Sequence, residues 1–458
     1  METSSPRFCQ GTSVVQGMGE GATKPLSRQE SDTLRSLLVS TLLLLSISAC
    51  VMPAPSTESP APTSTIVPEA TETEEPAPPP TLEPPAPEPT SPSAPVGTPV
   101  AHLLSGAPVV ITLVHMMDAL RGWALGTSGG DIEHILRTSD AGRTWTDVTP
   151  PEPAPEASTP LGFLPFFYDE MTAWAVPSMS FGSSPAGPAN VWRTTDGGVI
   201  WQWSADLRAT DIMVEGWAPS YMTFVDRERG WLMVAVGAGA GHAYIVIFRT
   251  TDGGASWERL IDPYSEDSAS LHTCCQSGLS FTDSNSGLVP LADNNYMRIV
   301  VNWTADGGAT WTSSFPPPPA SAPNLFDRSS CAVSSTAVLP PEDIRLGVRC
   351  RVFDGRADEN YVYTTGDQGE TWTVTSFPGG ALLFFNAAHG VALDRNLYQT
   401  DDAGASWTKI KSVNWDGQFS FVSEDLGWAV ARSGDEIALV RTADGGRTWE
   451  EIEATIAP

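Results

Sequence analysis

The 458-residue chain carries 54 Asp+Glu against 25 Lys+Arg, a formal net charge of −29. A surface that acidic repels phosphate backbones and anionic lipid headgroups, which argues against nucleic-acid binding and against charge-driven membrane binding. The 40 Gly, 40 Pro and 16 Trp predict turn-rich β structure, and no heptad or 3.6-residue period follows residue 50.

In chain order, residues 1–49 read as a targeting segment. Arg28 and Arg35 precede an apolar run over 37–49, "LLVSTLLLLSISA", too short for the roughly 20 apolar residues that span a bilayer. The sequence Ile47-Ser48-Ala49-Cys50 resembles the bacterial lipobox, which implies a lipoprotein signal peptide and Cys50 acylated as the first residue of the mature chain. A plain secretory signal is the other reading of the same run, and Met18 is an alternative start that would shorten the long n-region. Residues 50–99 follow as a lipid-anchored linker rich in Pro, Thr and Glu, with seven Glu and no Lys or Arg over 51–99. Such a composition buries too little apolar surface to offset its ordering entropy, so this stretch is expected to be disordered. As Pro-rich chain at roughly 3.1 Å per residue, it would reach about 150 Å as a tether.

Residues 100–458 repeat one pattern seven times. "WRTTDGGVIW", "FRTTDGGASW" and "VRTADGGRTW" show its core, Thr/Ser-x-Asp-x-Gly-x-x-Trp. The Asp residues are Asp140, Asp196, Asp252, Asp306, Asp367, Asp402 and Asp444. Two positions on stand Gly142, Gly198, Gly254, Gly308, Gly369, Gly404 and Gly446. Five on stand Trp145, Trp201, Trp257, Trp311, Trp372, Trp407 and Trp449. A looser pattern precedes each: "FVDRERGW" ends at Trp231, "FVSEDLGW" at Trp428 and "MMDALRGW" at Trp123. Weaker copies are "FTDSNSGL" ending at Leu288, "FNAAHGV" ending at Val391 and "FYDEMTAW" ending at Trp174, and the seventh, "PPEDIRLG" ending at Gly347, is the most degraded. Each unit reads as four short strands, the second opening at the "GW" and the fourth at the Trp of the core pattern. In the core pattern, Asp is expected to accept backbone N–H groups two or three residues on, and Gly to supply a positive φ. Eleven of the 16 Trp fall at the two recurring positions, which makes most of the tryptophan scaffold.

The core pattern resembles the Asp-box, or BNR, repeat of sialidases and related β-propellers. Together with the "F-x-D-x-x-x-G-W" strand it most resembles the propellers of the photosystem II stability and assembly factor type. The resemblance covers nearly all of 100–458 and implies an all-β, seven-bladed β-propeller with one four-stranded blade per repeat, at about 51 residues each. How the ring closes does not follow from it; units 1 and 7 each carry four strands, and "TPVAHLLS" at 98–105 is a candidate extra edge strand.

A sialidase would need three Arg around a carboxylate, a Tyr–Glu nucleophile pair and an Asp acid. The Arg-Ile-Pro signature is absent, and Arg137, Arg193, Arg249 and Arg441 recur at one repeat position, which marks them as structural. The xyloglucan-cleaving relatives place their cleft between two propellers, and this chain has room for one. No catalytic residue is therefore assigned. The Asp turns lack the alternating carboxylates of a calcium loop, and the histidines and cysteines have no zinc spacing, so no metal or cofactor is expected. Cys331 and Cys350 flank "PPED" at 340–343 and would face each other on a hairpin; Cys274 and Cys275 would then pair as neighbours, though four cysteines allow other connectivities. Three long inserts, 150–167, 177–190 and 314–327, are candidate recognition loops. With 21 Lys+Arg against 43 Asp+Glu, this domain lacks the basic patch by which the photosystem-type relatives engage their client. The expectation is a monomeric, extracytoplasmic lipoprotein that binds an unidentified protein or glycan, held to the membrane by its anchor, with a sialidase-type or other Asp-box glycoside hydrolase as the alternative.

Overall fold

The computed structural model describes residues 101–129, 133–151, 162–178, 189–207, 217–239, 242–261, 271, 275–293, 298–339 and 343–458. The signal segment, Cys50 and the linker therefore lie outside the described residues. What is described is all-β, with one short helix at Leu325–Arg328. Seven antiparallel sheets follow one another along the chain, and the ring is a seven-bladed β-propeller. The blades span 110–147, 162–203, 218–259, 280–314, 329–376, 381–412 and 416–452.

Within a blade the strands run up and down in sequence order. Blade 3 is typical: Ala218–Phe224 pairs with Gly230–Gly239, which pairs with His242–Thr250, which pairs with Glu258–Arg259. The core lies between blades. Trp174, Val176 and Val191 of blade 2 pack on Met222, Phe224, Leu232 and Val234 of blade 3, and corresponding sets fill the other interfaces. Alternation of up and down strands also sorts the connections. The turns between strands 1 and 2 and the Asp turns between strands 3 and 4 share one end of the ring, the turn face. The connections between strands 2 and 3, and those between blades, share the other, the loop face.

Closure differs from the sequence expectation. Residues 101–105 form no strand. Instead Thr455–Ile456 adds to the outer strand of blade 1 in parallel, with Thr455 opposite Thr144 and Ile456 opposite Trp145. Its other side is held by 106–109: Gly106 N–H donates to Ile456 O (2.9 Å), Ile456 N–H to Ala107 O (2.9 Å) and Val109 N–H to Ala454 O (3.0 Å). Near the channel, Gln418 Oε1 and Ser420 Oγ of blade 7 accept the N–H groups of Val114 and Met116, each at 2.9 Å. Those side chains satisfy edge amides that would otherwise be left bare. A two-residue strand without apolar alternation gives sequence reading no purchase.

Candidate functional site

The seven Asp turns share one hydrogen-bond scheme. In the turn at Asp367, Thr365 Oγ1 donates to Asp367 Oδ1 (2.7 Å) and accepts the Gly369 N–H (2.9 Å). Asp367 Oδ1 also accepts Thr371 N–H (2.9 Å), and Oδ2 accepts the Thr371 hydroxyl (2.5 Å). The bond runs to the residue four positions on because two consecutive residues with positive φ separate Asp from it; at this turn they are Gln368 (56°) and Gly369 (83°). The pattern of two and three residues on belongs to the other turn of blades 1 to 4: Asp118 Oδ1 accepts Leu120 and Arg121 N–H, and Asp169, Asp226 and Asp283 do the same in the next three blades. The Thr371 hydroxyl and amide hold the Asp367 carboxyl down at about 2, and Ser406 and Thr448 lower Asp402 and Asp444 in the same way. One turn departs from the scheme. Position 200 is Ile where the other six turns carry Thr or Ser, so Asp196 Oδ2 has no hydroxyl from it; Val199 and Ile200 stand 79% and 56% exposed.

These turns are joined blade to blade by the second recurring Trp. Trp231 stacks on Phe281 of blade 4 with ring centroids 3.6 Å apart, and its Nε1 donates to Gly307 O in that blade's Asp turn (2.8 Å). Trp174 repeats both contacts on Phe224 and Gly253 O, and Trp428 reaches Ala141 O across the closure. Arg137, Arg193 and Arg441, beside Trp123, Trp174 and Trp428, place their guanidinium groups 5.2, 6.0 and 5.4 Å from the ring centroids. Arg137 also donates to Gly197 O of the next blade (3.1 Å). These arginines thus lie against tryptophan, and Arg137 and Arg193 also reach a backbone carbonyl of the next blade, a setting that packing explains.

In blade 5 the register corrects the sequence alignment. Ile344 faces Thr365 as Gly230 faces Thr250, so Arg345, not Gly347, occupies the Trp position. Arg345 is 3% exposed. Its guanidinium carbon lies 4.1 Å from the centroid of Phe384 in blade 6, and it donates to Ala387 O (2.6 Å) and Ala403 O (3.4 Å). Asp343 supplies the counter-charge at 2.6 Å.

The loop face carries the candidate functional site. At the junction of blades 7, 1 and 2, Thr112 Oγ1 donates to Glu133 Oε1 (2.6 Å) and Arg432 Nη2 donates to Thr112 O (2.6 Å). Burial raises the Glu133 pKa, while bonds from Thr112 and the Phe163 amide and the charge of Arg432 act the other way. The arrangement sets a hydrogen-bonding carboxyl and a cationic guanidinium together, and the guanidinium is the group suited to an anionic ligand. None of these three residues was picked out from sequence, because Thr112 and Glu133 of blade 1 and Arg432 of blade 7 occupy no recurring position. Nearby on blade 1, Asp147 accepts Leu103 N–H (2.9 Å), Thr149 Oγ1 (2.6 Å) and His134 Nδ1 (2.8 Å), with His102 at 3.4 Å. Burial opposes the charge, but the bonds from His134 and Thr149 hold this carboxyl far below the ordinary range. Two histidines far apart in sequence thus converge on one carboxylate; among the described residues no group of three or more His, Cys, Asp or Glu is placed to hold a metal.

Cys331 and Cys350 face each other across the first hairpin of blade 5 and are bonded, with an S–S distance of 2.07 Å. Cys274 lies outside the described residues, while Cys275 is described and has a positive φ of 77°. Of the three inserts, 150–167 and 177–190 fall largely outside the described residues; 314–327 is described throughout.

No protein-family model and no curated protein sequence matches this chain. Among solved structures it is similar to YCF48 from Cyanidioschyzon merolae, at 16% identity and a TM-score of 0.45 over 75% of this chain and 98% of that one. It is similar to a polysaccharide lyase, an ulvan lyase, at 10% identity and a TM-score of 0.41 over 78% and 97% of the two chains. A puromycin-hydrolysing peptidase from Mycobacterium tuberculosis shares 13% identity at a TM-score of 0.48, over 78% of this chain and 57% of its own. At these identities the likeness concerns the fold alone.

Proposed function

We propose that this protein is a bacterial envelope lipoprotein whose propeller binds a protein or glycan partner without catalysis, in the manner of an assembly factor. Cys50 would be acylated after removal of 1–49, residues 50–99 would be the tether, and 100–458 would be a monomeric Asp-box propeller outside the cytoplasm. One observation supports the binding reading above others, the unequal use of the two faces. On the turn face, Asp side chains, indoles and guanidinium groups are spent on turns and blade joints. On the loop face, the insert at 314–327 presents an aromatic ring and prolines to solvent, and Glu133 keeps a hydrogen-bonding carboxyl beside Arg432. Loops set on a rigid scaffold are where recognition tends to sit.

The test is cross-linking on intact cells, recovery of the tagged protein from solubilised membranes, and identification of what accompanies it. A reproducible envelope client supports an adapter; recovery of the protein alone, together with no binding on a glycan array, sinks the reading. Anchoring is tested separately, since a Cys50→Ser protein that stays with membranes would refute acylation. The alternative, a glycoside hydrolase, would use Glu133, a carboxyl at the loop face bonded by the Thr112 hydroxyl, as its acid. Turnover of sialosides or other glycosides, abolished by Glu133→Gln, would establish it in place of binding.

A further inference from the structure

Within the insert at 314–327, Phe315 is followed by four prolines, Pro316 to Pro319. Proline fixes φ near −65° and pushes the residue before it toward extended backbone, so the run is held in polyproline II geometry. That helix has three residues per turn and no internal hydrogen bonds. The burial follows the same period. Pro316 and Pro319, one turn apart, are buried; Phe315 and Pro317 are exposed, and Pro318 is half-buried. One edge of the run is therefore seated on the domain, and the rest faces water.

Both ends are fixed. Phe315 is 53% exposed, and the Arg298 guanidinium lies 4.2 Å from its ring centroid, so the ring is held by a cation on one side. Beyond the prolines, Ala322 N–H donates to Pro319 O (2.8 Å) and Leu325 N–H to Ala322 O (3.0 Å). Ala322 and Leu325 are buried in the core shared by blades 4 and 5. The segment is thus preformed, and a partner that takes it up orders little backbone.

The chemistry of the strip selects its partner. Four residues without an N–H can only accept hydrogen bonds, and the outward groups are flat rings and an aromatic side chain. A groove of aromatic side chains with indole or phenol donors complements both features, and grooves of this kind read polyproline II ligands in SH3, WW and EVH1 domains. We propose that 315–319 is a docking ligand for a partner protein with an aromatic-lined groove. This rests on the binding reading above and narrows it to a protein partner met at the junction of blades 4 and 5.

The experiment uses the full chain and an isolated EVH1 domain as the probe, with affinity read by calorimetry for the wild type, Phe315→Ala and Pro317→Ala. Phe315→Ala is expected to weaken binding by roughly tenfold, the loss of one anchor residue, and Pro317→Ala by less. Thermal unfolding of each variant separates this from a structural role. If the prolines only stiffen the connection, the variants change stability and leave affinity alone. The linker over 51–99 also holds proline runs but no Phe, so binding that survives Phe315→Ala comes from elsewhere and overturns the proposal. Absence of binding by the wild type overturns it too. On intact cells, a client captured equally by wild type and Phe315→Ala sinks this proposal and leaves the binding reading standing, whereas no client from either, together with no binding on a glycan array, sinks the broader reading.

Discussion

Between blades 3 and 4, Trp231 lies flat on Phe281 and hands its indole N–H to the next Asp turn; between blades 5 and 6, Arg345 lies over Phe384 and hands its guanidinium N–H groups to the next pair of turns. The two joints share a plane that covers an aromatic ring and a donor at its tip. They differ in charge. The indole needs nothing further, whereas the buried guanidinium requires Asp343 at 2.6 Å. The position therefore selects for shape and a donor, with hydrophobicity a common but dispensable companion. An arginine meets the demand at the cost of importing a second residue.

The apolar joint carries the greater share of the stability. Trp231→Ala removes a fully buried ring and its bond to Gly307 O, and should destabilise the protein by about 4 kcal/mol, read from the urea unfolding midpoint. Arg345→Ala should cost about 3 kcal/mol, because Asp343 and two carbonyls lose their donor together. Arg345→Trp sharpens the argument: if the joint selects for a flat donor, this variant recovers about 1 kcal/mol of that loss. A protein in which Arg345→Trp is no more stable than Arg345→Ala would show that the charge itself is required.

A smaller effect lies at the irregular Asp turn. Ile200→Thr supplies the hydroxyl that the other six turns give their Asp, and is expected to stabilise by about 0.5–1 kcal/mol in the same assay. Acid titration checks the regular turns. The Asp367 pKa is depressed in the folded chain, so its stabilisation is present above the ordinary value of 3.8 and is lost as pH falls through about 2. The stability difference between wild type and Asp367→Asn should accordingly shrink over that interval. Weakest is the exposed contact of His389 with Glu424 (2.7 Å), which joins blades 6 and 7. The hydrogen bond to Glu424 raises the His389 pKa, so the contact contributes fully below 6.5 and fades as pH rises through the higher folded value. His389→Gln should remove that pH dependence while leaving the acid limb unchanged.

Blade number was legible because each repeat solves the same local problem with the same side chains. A turn through two positive-φ residues needs Asp, Thr and Gly at set spacings, and such spacings survive in one dimension. The joint in blade 5 was missed for the complementary reason. An alignment that looks for Gly followed by a large apolar residue passes over Ile344-Arg345, although the seven-residue interval from Val338 to Arg345 equals that from Phe224 to Trp231. The Glu133 cluster was illegible because Arg432 joins Thr112 and Glu133 only when blade 7 returns to blade 1, a proximity that no local pattern encodes. Residues of this kind sit outside the repeat, where each is unique.

The seam where blade 7 meets blade 1 also bears on how the molecule folds. Gln418 and Val114 stand 304 residues apart, among the longest sequence separations bridged in the structure. Blades with neighbouring strands can form from local contacts, whereas closing this loop requires the whole intervening chain to be nearly in place. Until then the inner edge of blade 1 and its outer strand both remain open to pairing with another molecule, so refolding yield should fall with protein concentration even where each blade forms quickly.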